Sequence, residues 1–250
     1  MSNIDGSSSV LKVSEIFKSI QGEGTFAGTP CIFLRLSTCN LKCFWCDTKY
    51  TWDWQNYDIK KEIKELRIKD IIKEFYEFPN IFHIVITGGE PLLQQDKLIS
   101  LLTIVKNKRN RNNKTQGYRI EIETNGTIVG AKEIISLIDQ WNISPKTSNS
   151  LNEEHHISLE KLYDKSMPFY KDLKNTSFKF VVDKPNDLSE IDRFVKKYEI
   201  PKEKLILMPQ ASTKQELLEK NEWLKKIAKE SDFNFTTRLQ VLLWNNQRGK

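Results

Sequence analysis

Three thiols at short spacing are the residues best suited to chemistry: Cys39-Asn-Leu-Lys-Cys43-Phe-Trp-Cys46. Spacings of four and three residues let one short loop wrap three sulfurs around one face of a cube-shaped iron–sulfur cluster, for which thiolate is the preferred ligand. A structural zinc site wants a fourth ligand of the same kind. The remaining cysteine, Cys31, sits in the apolar run Cys31-Ile-Phe-Leu-Arg-Leu36 and reads as a small buried hydrophobe. Three of the four cysteines lie within eight residues, which favours metal over disulfides in a chain expected to carry no secretory leader. On spacing alone, a zinc knuckle or a redox loop stays open as an alternative. Three ligands on a four-iron cluster leave one iron free to bind the amino and carboxylate groups of a cosubstrate.

Nearly every other unusual cluster falls just after the C-terminal end of a strand-like run, where such folds build sites. Thr87-Gly-Gly-Glu-Pro91 offers backbone without a Cβ, so a ligand can approach closely; an ordinary turn would use the same glycines. Glu121-Ile-Glu-Thr-Asn-Gly126 puts two carboxylates on one face of a strand. Ahead of the cysteines, Ile20-Gln-Gly-Glu-Gly24 pairs an amide with a carboxylate, and Arg35 adds a guanidinium able to fork onto an anion. Thr48 carries a hard hydroxyl oxygen of the kind that can complete a magnesium shell or cap a helix. His83, His155 and His156 read as structural or solvated.

These residues need a scaffold, and the chain alternates short β-rich runs with helical patterns, the mark of βα units and a mostly parallel sheet. Strands are expected over Cys31–Leu36, His83–Thr87, Tyr118–Thr124, Trp141–Ser144, Phe178–Val182 and Lys204–Met208, with a last run over Phe233–Leu243. Apolar residues at Ile68, Ile71, Ile72 and Phe75, and again at Leu217, Leu218, Trp223, Leu224 and Ile227, mark helices that cover the sheet. Six parallel strands predict an α/β fold, a partial (β/α)6 barrel with helices outside. At 250 residues one such domain, residues 1–250, is expected. The stretches Cys46–Tyr57 and Thr147–Asn175 fit no regular unit.

The net charge of +6 is spread over mixed-charge helices such as Lys60–Lys73 and Lys220–Lys229. That pattern suits a solvated surface better than a nucleic-acid stripe. No apolar run approaches the roughly 20 residues needed to span a bilayer. The polar start, Met1–Ser9, has no leader pattern, and a cytoplasmic location is expected.

The CxxxCxxC loop, the Gly-Gly-Glu-Pro segment and the acidic strand end together resemble the radical S-adenosylmethionine (SAM) superfamily. The resemblance implies a 4Fe–4S cluster on Cys39, Cys43 and Cys46. It implies SAM contacts at Trp45, Cys46, Asp47 and Gly89, at Glu123 (with Glu121 as its competitor for the ribose), at Ser144, Pro145 and Lys146, and at Met208, Pro209, Gln210 and Ala211. The Gln21-Gly-Glu-Gly24 segment, Arg35 and Cys46-Asp47-Thr48 further resemble the 7-carboxy-7-deazaguanine synthase family of queuosine biosynthesis. That family converts 6-carboxy-5,6,7,8-tetrahydropterin to 7-carboxy-7-deazaguanine and ammonia. There a 5′-deoxyadenosyl radical abstracts hydrogen from the pterin, magnesium assists, and SAM is regenerated.

Carried onto this chain, the resemblance implies substrate contacts at Ile20, Gln21, Gly22, Glu23, Arg35, Thr87 and Gln240, and a magnesium ligand at Thr48. It implies no catalytic side chain beyond the cofactors. A homodimer and a flavodoxin- or ferredoxin-type electron donor are expected with it. Gln240 stands where many members carry His in a C-terminal strand, which removes a titrating group. Two rival functions are a glycyl-radical activase, with the same cysteine spacing but no use for Gln21–Gly24 or Thr48, and a non-catalytic metal-binding module that contacts RNA.

Overall fold

A computed structural model describes residues 9–107, 117–155, 157–245 and 247–250. The strands are β1 (Val10–Ile20), β2 (Pro30–Leu36), β3 (Lys64–Arg67), β4 (His83–Gly88), β5 (Arg119–Thr124), β6 (Gln140–Ile143), β7 (Thr176–Val182), β8 (Leu205–Pro209) and β9 (Asn234–Phe235). They join in one open sheet, in the order β3-β1-β2-β4-β5-β6-β7-β8-β9. From β2 through β4 to β9 all pairings are parallel. β1 runs antiparallel to β2, and β3 antiparallel to β1. The helices are α1 (Ile59–Glu62), α2 (Ile68–Tyr76), α3 (Gln95–Asn107), α4 (Lys132–Ile135), α5 (Leu159–Lys171), α6 (Asp187–Tyr198), α7 (Lys214–Ser231) and α8 (Leu239–Trp244).

The six strands expected from sequence are present as the parallel body of an α/β sheet. Three expectations need correction. The two antiparallel strands β1 and β3 extend the sheet beyond β2, where no strand was expected. The run Phe233–Leu243 is not one strand: only Asn234 and Phe235 pair with β8, and Leu239 begins helix α8, so Gln240 is helical. The segment Thr147–Asn175 is not irregular throughout, because Leu159–Lys171 forms a helix with Leu159, Tyr163, Ser166, Met167 and Tyr170 buried. That is one helical stripe at three- and four-residue spacing, and it continues past Pro168 to Tyr170.

Strand alternation sends neighbouring side chains to opposite faces. Ile32, Leu34, Leu36, Ile84, Ile86, Ile120, Ile122, Trp141, Ile143, Phe178, Phe180, Val182, Leu205 and Leu207 belong to one core under the helices. Into it α2 contributes Ile68, Ile71, Ile72 and Phe75, as expected. On α7 Leu217 and Leu224 are buried, whereas Leu218 points to solvent. The intervening residues Phe33, Arg35, Thr87, Glu123, Ser144, Lys179, Val181, Met208 and Gln210 face inward and line a cavity in the barrel.

Candidate active site

Two sets of residues enter this cavity from opposite ends of the strands. The loop after Leu36, at the C-terminal end of β2, brings in Cys39, Cys43 and Cys46, and all three line the cavity. Because β1 is antiparallel, Ile20 pairs with Pro30 at the start of β2. Gln21 to Glu23 therefore approach from the N-terminal end, so this motif is an exception to the rule that such barrels build sites at strand C-termini.

Each cysteine sulfur has an N–H donor at hand. Trp52 Nε1 lies 3.3 Å from Cys46 Sγ and Asn152 Nδ2 3.2 Å from Cys43 Sγ, while Leu41 N is 3.4 Å from Cys39 Sγ. Such donors are among the means by which a protein tunes a cluster. Burial pushes the Cys39 thiol up to about 12 and raises Cys43 as well, so an iron centre must displace the protons to bind. Among the described residues no three His, Cys, Asp or Glu side chains gather about one ion. The cavity wall offers three thiols, with Cys31 packed elsewhere, so a closed zinc site would lack its fourth sulfur, whereas three thiolates suit a multi-iron cluster with one open iron. Cys31 is fully buried against Phe33 and Val85, away from the other thiols.

The glycines at the end of β4 are required first by the chain itself. Gly88 has φ +127°, and a Cβ there would overlap the Leu36 backbone; one on Gly89 would overlap Thr38 O. Gly89 N donates to Leu36 O (3.0 Å) and Glu90 N to Thr38 O (2.8 Å), which seats this loop on the root of the cysteine loop. Glu90, for which the sequence suggested no role, is fully buried and accepts from Leu92 N, Thr124 Oγ1 and Asn125 N. Desolvation raises its pKa despite those bonds. The carboxylate ties the end of β5 to the loop after β4.

On the SAM side of the expected site, Trp45, Cys46, Asp47, Gly89, Glu123, Ser144, Lys146, Met208 and Gln210 all line the cavity. Lys146 Nζ donates to Ser144 Oγ (2.7 Å) and sits 5.3 Å from the Trp45 ring centroid. Pro145, Pro209 and Ala211 do not line it. Pro209 follows the outward parity of Leu205 and Leu207, Pro145 follows the inward-facing Ser144, and Ala211 packs against Leu217 and Val241. Asp47 is held by Arg238 Nη2 at 2.5 Å.

The pterin side of the expected site is a dense polar floor. Gln21, 1 % exposed, donates from Nε2 to Glu121 Oε1 (2.7 Å) and Glu123 Oε1 (3.2 Å), and Thr87 Oγ1 donates to Glu123 Oε2 at 2.8 Å. Glu121 also accepts from Asn142 Nδ2, so it is committed deeper in the barrel while Glu123 reaches the cavity. His83 Nε2 lies 2.8 Å from Glu121 Oε2, but the angles are not those of a hydrogen bond and both atoms lack one. His155 is exposed, and His156 lies outside the described residues. Burial pushes Glu123 upward, opposed by Lys179 and aided by Glu23 and Glu121.

Glu23 accepts from Lys179 Nζ, Arg238 Nε (3.0 Å) and Gln240 Nε2 (2.6 Å). Burial alone would raise its pKa; the charges of Lys179 and Arg238 outweigh that and hold it well below the usual carboxylate range. Gln240 Oε1 is buried without a partner, and a Cβ on Gly22 would overlap it. Sequence reading assigned no role to Lys179 or Arg238. The inward parity of Lys179 between Phe178 and Phe180 was the available signal.

Arg35 lines the cavity, but its Nε donates to Glu15 at 3.1 Å and its guanidinium lies 5.6 Å from the Phe17 ring. Thr48 precedes a short 3-10 turn without capping it through its side chain, and its hydroxyl lies 3.6 Å from Cys46 Sγ. Over this side the terminal segment folds back: Arg248 pairs with Glu15 (2.6 Å) and Glu62 (2.7 Å) and stacks on Tyr50.

The profile of the Radical SAM superfamily matches residues 35–181. A 7-carboxy-7-deazaguanine synthase from Pyrobaculum aerophilum is 33 % identical over 240 residues, 96 % of this chain and 97 % of that protein. One from Halobacterium salinarum is 31 % identical over 258 residues, covering 96 % and 93 %. Among solved structures, QueE from Escherichia coli shares the fold with a TM-score of 0.63 at 22 % identity, over 92 % of this chain and 94 % of that one. Native anSMEcpe with bound AdoMet gives a TM-score of 0.54 at 15 % identity, over 81 % and 62 %.

Proposed function

The chain belongs to the radical SAM superfamily and, within it, to the 7-carboxy-7-deazaguanine synthases, and from that membership we propose a division of labour within its cavity. The activity is conversion of 6-carboxy-5,6,7,8-tetrahydropterin to 7-carboxy-7-deazaguanine with release of ammonia. It uses a 4Fe–4S cluster and SAM. The observation that carries the assignment of residues is that one cavity is lined both by the three thiols and by Gln21, Glu23, Arg35, Thr87 and Gln240.

Cys39, Cys43 and Cys46 would hold the cluster, which with SAM supplies the one-electron chemistry that removes a hydrogen atom from the pterin. Gly89, Trp45, Ser144, Lys146, Met208 and Gln210 would hold SAM against that wall, with Glu123 accepting from its ribose. Gln21 and Glu23 would meet the amidine-like edge of the pterin, since a carboxylate and an amide oxygen both accept N–H donors. The unpartnered Gln240 Oε1 would accept one more. Arg35 would take the substrate carboxylate through its terminal nitrogens, leaving Nε on Glu15.

Thr48, with its hydroxyl free of a capping bond, would contribute one oxygen to a magnesium ion otherwise bound by water and substrate. Such an ion would orient the substrate carboxylate and stabilise developing negative charge. A homodimer, a flavodoxin- or ferredoxin-type donor and a cytoplasmic location complete the proposal. Among the described residues no helix is long and apolar enough to cross a membrane.

A glycyl-radical activase would leave the Gln21–Glu23 floor without a use, and an RNA-binding module would leave the whole cavity so. Anaerobic incubation with the carboxy-tetrahydropterin, SAM and a reductant, followed by mass spectrometry, is expected to yield 7-carboxy-7-deazaguanine and ammonia. Cleavage of SAM without that product would overturn the reading.

A further inference from the structure

Lys179 is the least expected residue on the cavity wall. It sits in the middle of β7, 6 % exposed, with Phe178 and Phe180 turned into the apolar core on either side. Burying an ammonium costs several kcal/mol unless it is well paired. Its single hydrogen bond among the described residues goes to Glu23 Oε2. On the other oxygen, Oε1, the same carboxylate takes Arg238 Nε at 3.0 Å and Gln240 Nε2 at 2.6 Å.

A carboxylate offers about four acceptor positions. Three are taken here, and Oε1 has none left, so the remaining one is on the Oε2 that Lys179 holds. Arg238 cannot follow a moving carboxylate, since its other nitrogens are tied to Asp47 and Ala211 O. Gln240 is packed over Gly22. Lys179 rises from a strand paired on both sides. Its ammonium therefore decides where the last acceptor of Glu23 points.

We infer that Lys179 is a positioning residue for the substrate: it aims the Glu23 carboxylate at the N–H edge of the pterin and acts through Glu23, without touching substrate itself. This rests on the reading that Glu23 meets the pterin. The titratable groups around the pair are Arg238 and Asp47 on one side, and Glu123 with Glu121 and His83 behind it on the other. Lys179 is the shared neighbour of Glu23 and Glu123, and the field of both carboxylates holds its pKa up against burial.

A double-mutant cycle tests this, read by anaerobic equilibrium binding of the carboxy-tetrahydropterin to the cluster-loaded protein, with turnover measured beside it. Lys179→Met is expected to raise the pterin Kd and KM about tenfold or more while SAM affinity stays within about twofold, as for loss of one partner of a buried charge pair. Lys179→Arg should recover most of the loss. In a Glu23→Gln background, Lys179→Met should add almost nothing, because the residue acts through Glu23. Lys179→Gln, which keeps a neutral N–H donor, is carried in parallel so that a variant retaining its cluster is available if the Met form does not fold.

Wild-type pterin affinity in folded Lys179→Met, or in Lys179→Gln where the Met form does not fold, would overturn the inference. So would a parallel loss of SAM affinity, which would mean that Lys179 acts through Glu123 or on the fold at large, or full additivity in the cycle, which would put Lys179 on the substrate directly. If Glu23→Gln alone binds pterin normally, the reading of Glu23 fails instead, and the two failures are told apart by that single variant.

Discussion

Along the parallel strands β2 and β4 to β8, the side chains that face the helices are almost all apolar and join one core, whereas those facing the barrel interior include Arg35, Thr87, Glu121, Glu123, Asn142, Ser144, Lys179 and Gln210. The same backbone thus carries two chemistries at a period of two residues. On the outer face, burial supplies stability with no directional demand. On the inner face, every buried polar group needs a partner, and the partners come from distant segments, as when Gln21 reaches Glu121 or Glu23 reaches Arg238. The outer face can absorb an apolar exchange of similar volume, while the inner face has little room for any change of donor or acceptor.

Replacing cavity thiols should give the largest effect and separate the two faces most sharply. Cys39→Ala, Cys43→Ala or Cys46→Ala is expected to abolish SAM cleavage and strip most bound iron, yet leave the unfolding transition of the apo protein near that of wild type. Iron analysis and thermal unfolding of the same samples check this. A large loss of apo stability would mean that the cysteine loop also carries the fold.

The outer face should behave in the opposite way. Phe180 is fully buried and packs edge-on against Phe194 at 5.4 Å between centroids. Phe180→Ala should cost about 3–5 kcal/mol in denaturant unfolding, with turnover per cluster-loaded molecule little changed at low temperature. A specific loss of pterin affinity in this variant would show that the two faces are coupled through β7.

Next in size is Arg35, which belongs to the inner face but is only partly committed to it. Arg35→Ala should lower kcat/KM for the pterin by about 2–5 kcal/mol, with SAM binding intact. Part of any stability loss will come from the broken pair with Glu15. Arg35→Lys keeps the charge and loses the fork, so it should recover stability better than it recovers kcat/KM. Equal recovery of both would make Arg35 a structural residue.

How far these faces could be read from sequence follows from the same contrast. The outer face announces itself through Ile, Val, Leu and Phe at alternate positions, and the six parallel strands were legible for that reason. β1 was missed because Lys12, Glu15 and Lys18 break its apolar pattern, although the strand is completed by pairing with β2 and β3. The run Phe233–Leu243 looked like strand because a short apolar run has no period of its own, yet Leu239–Trp244 forms helix α8. The cysteine loop and Gln21–Gly24 could be read as motifs. Lys179 and Arg238 could not, since a lone cation in a strand or loop resembles surface charge until the fold brings Glu23 between them.

Cys31 supplies the smallest expected effect and the finest test of the comparison, because it lies on the inner face and should behave like the outer one. It is fully buried in a small apolar cluster with Phe33 and Val85, with Phe17 against it. Burial pushes its thiol far above the ordinary value, and the Glu121 and Glu123 carboxylates push it further. The thiolate is the form that binds iron or attacks an alkylating agent, so Cys31 should do neither at neutral or mildly alkaline pH. Cys31→Ala should therefore keep full iron content and SAM cleavage, and removal of one sulfur from a packed site should cost about 1 kcal/mol, the low end of core truncations. In native protein stripped of its cluster, iodoacetamide should label Cys46, whose side chain is partly exposed, well before Cys31. Mass spectrometry of the labelled peptides decides the order. Loss of iron in Cys31→Ala, or early labelling of Cys31, would mean that the apolar cluster opens to the cavity and that the inner face is polar throughout.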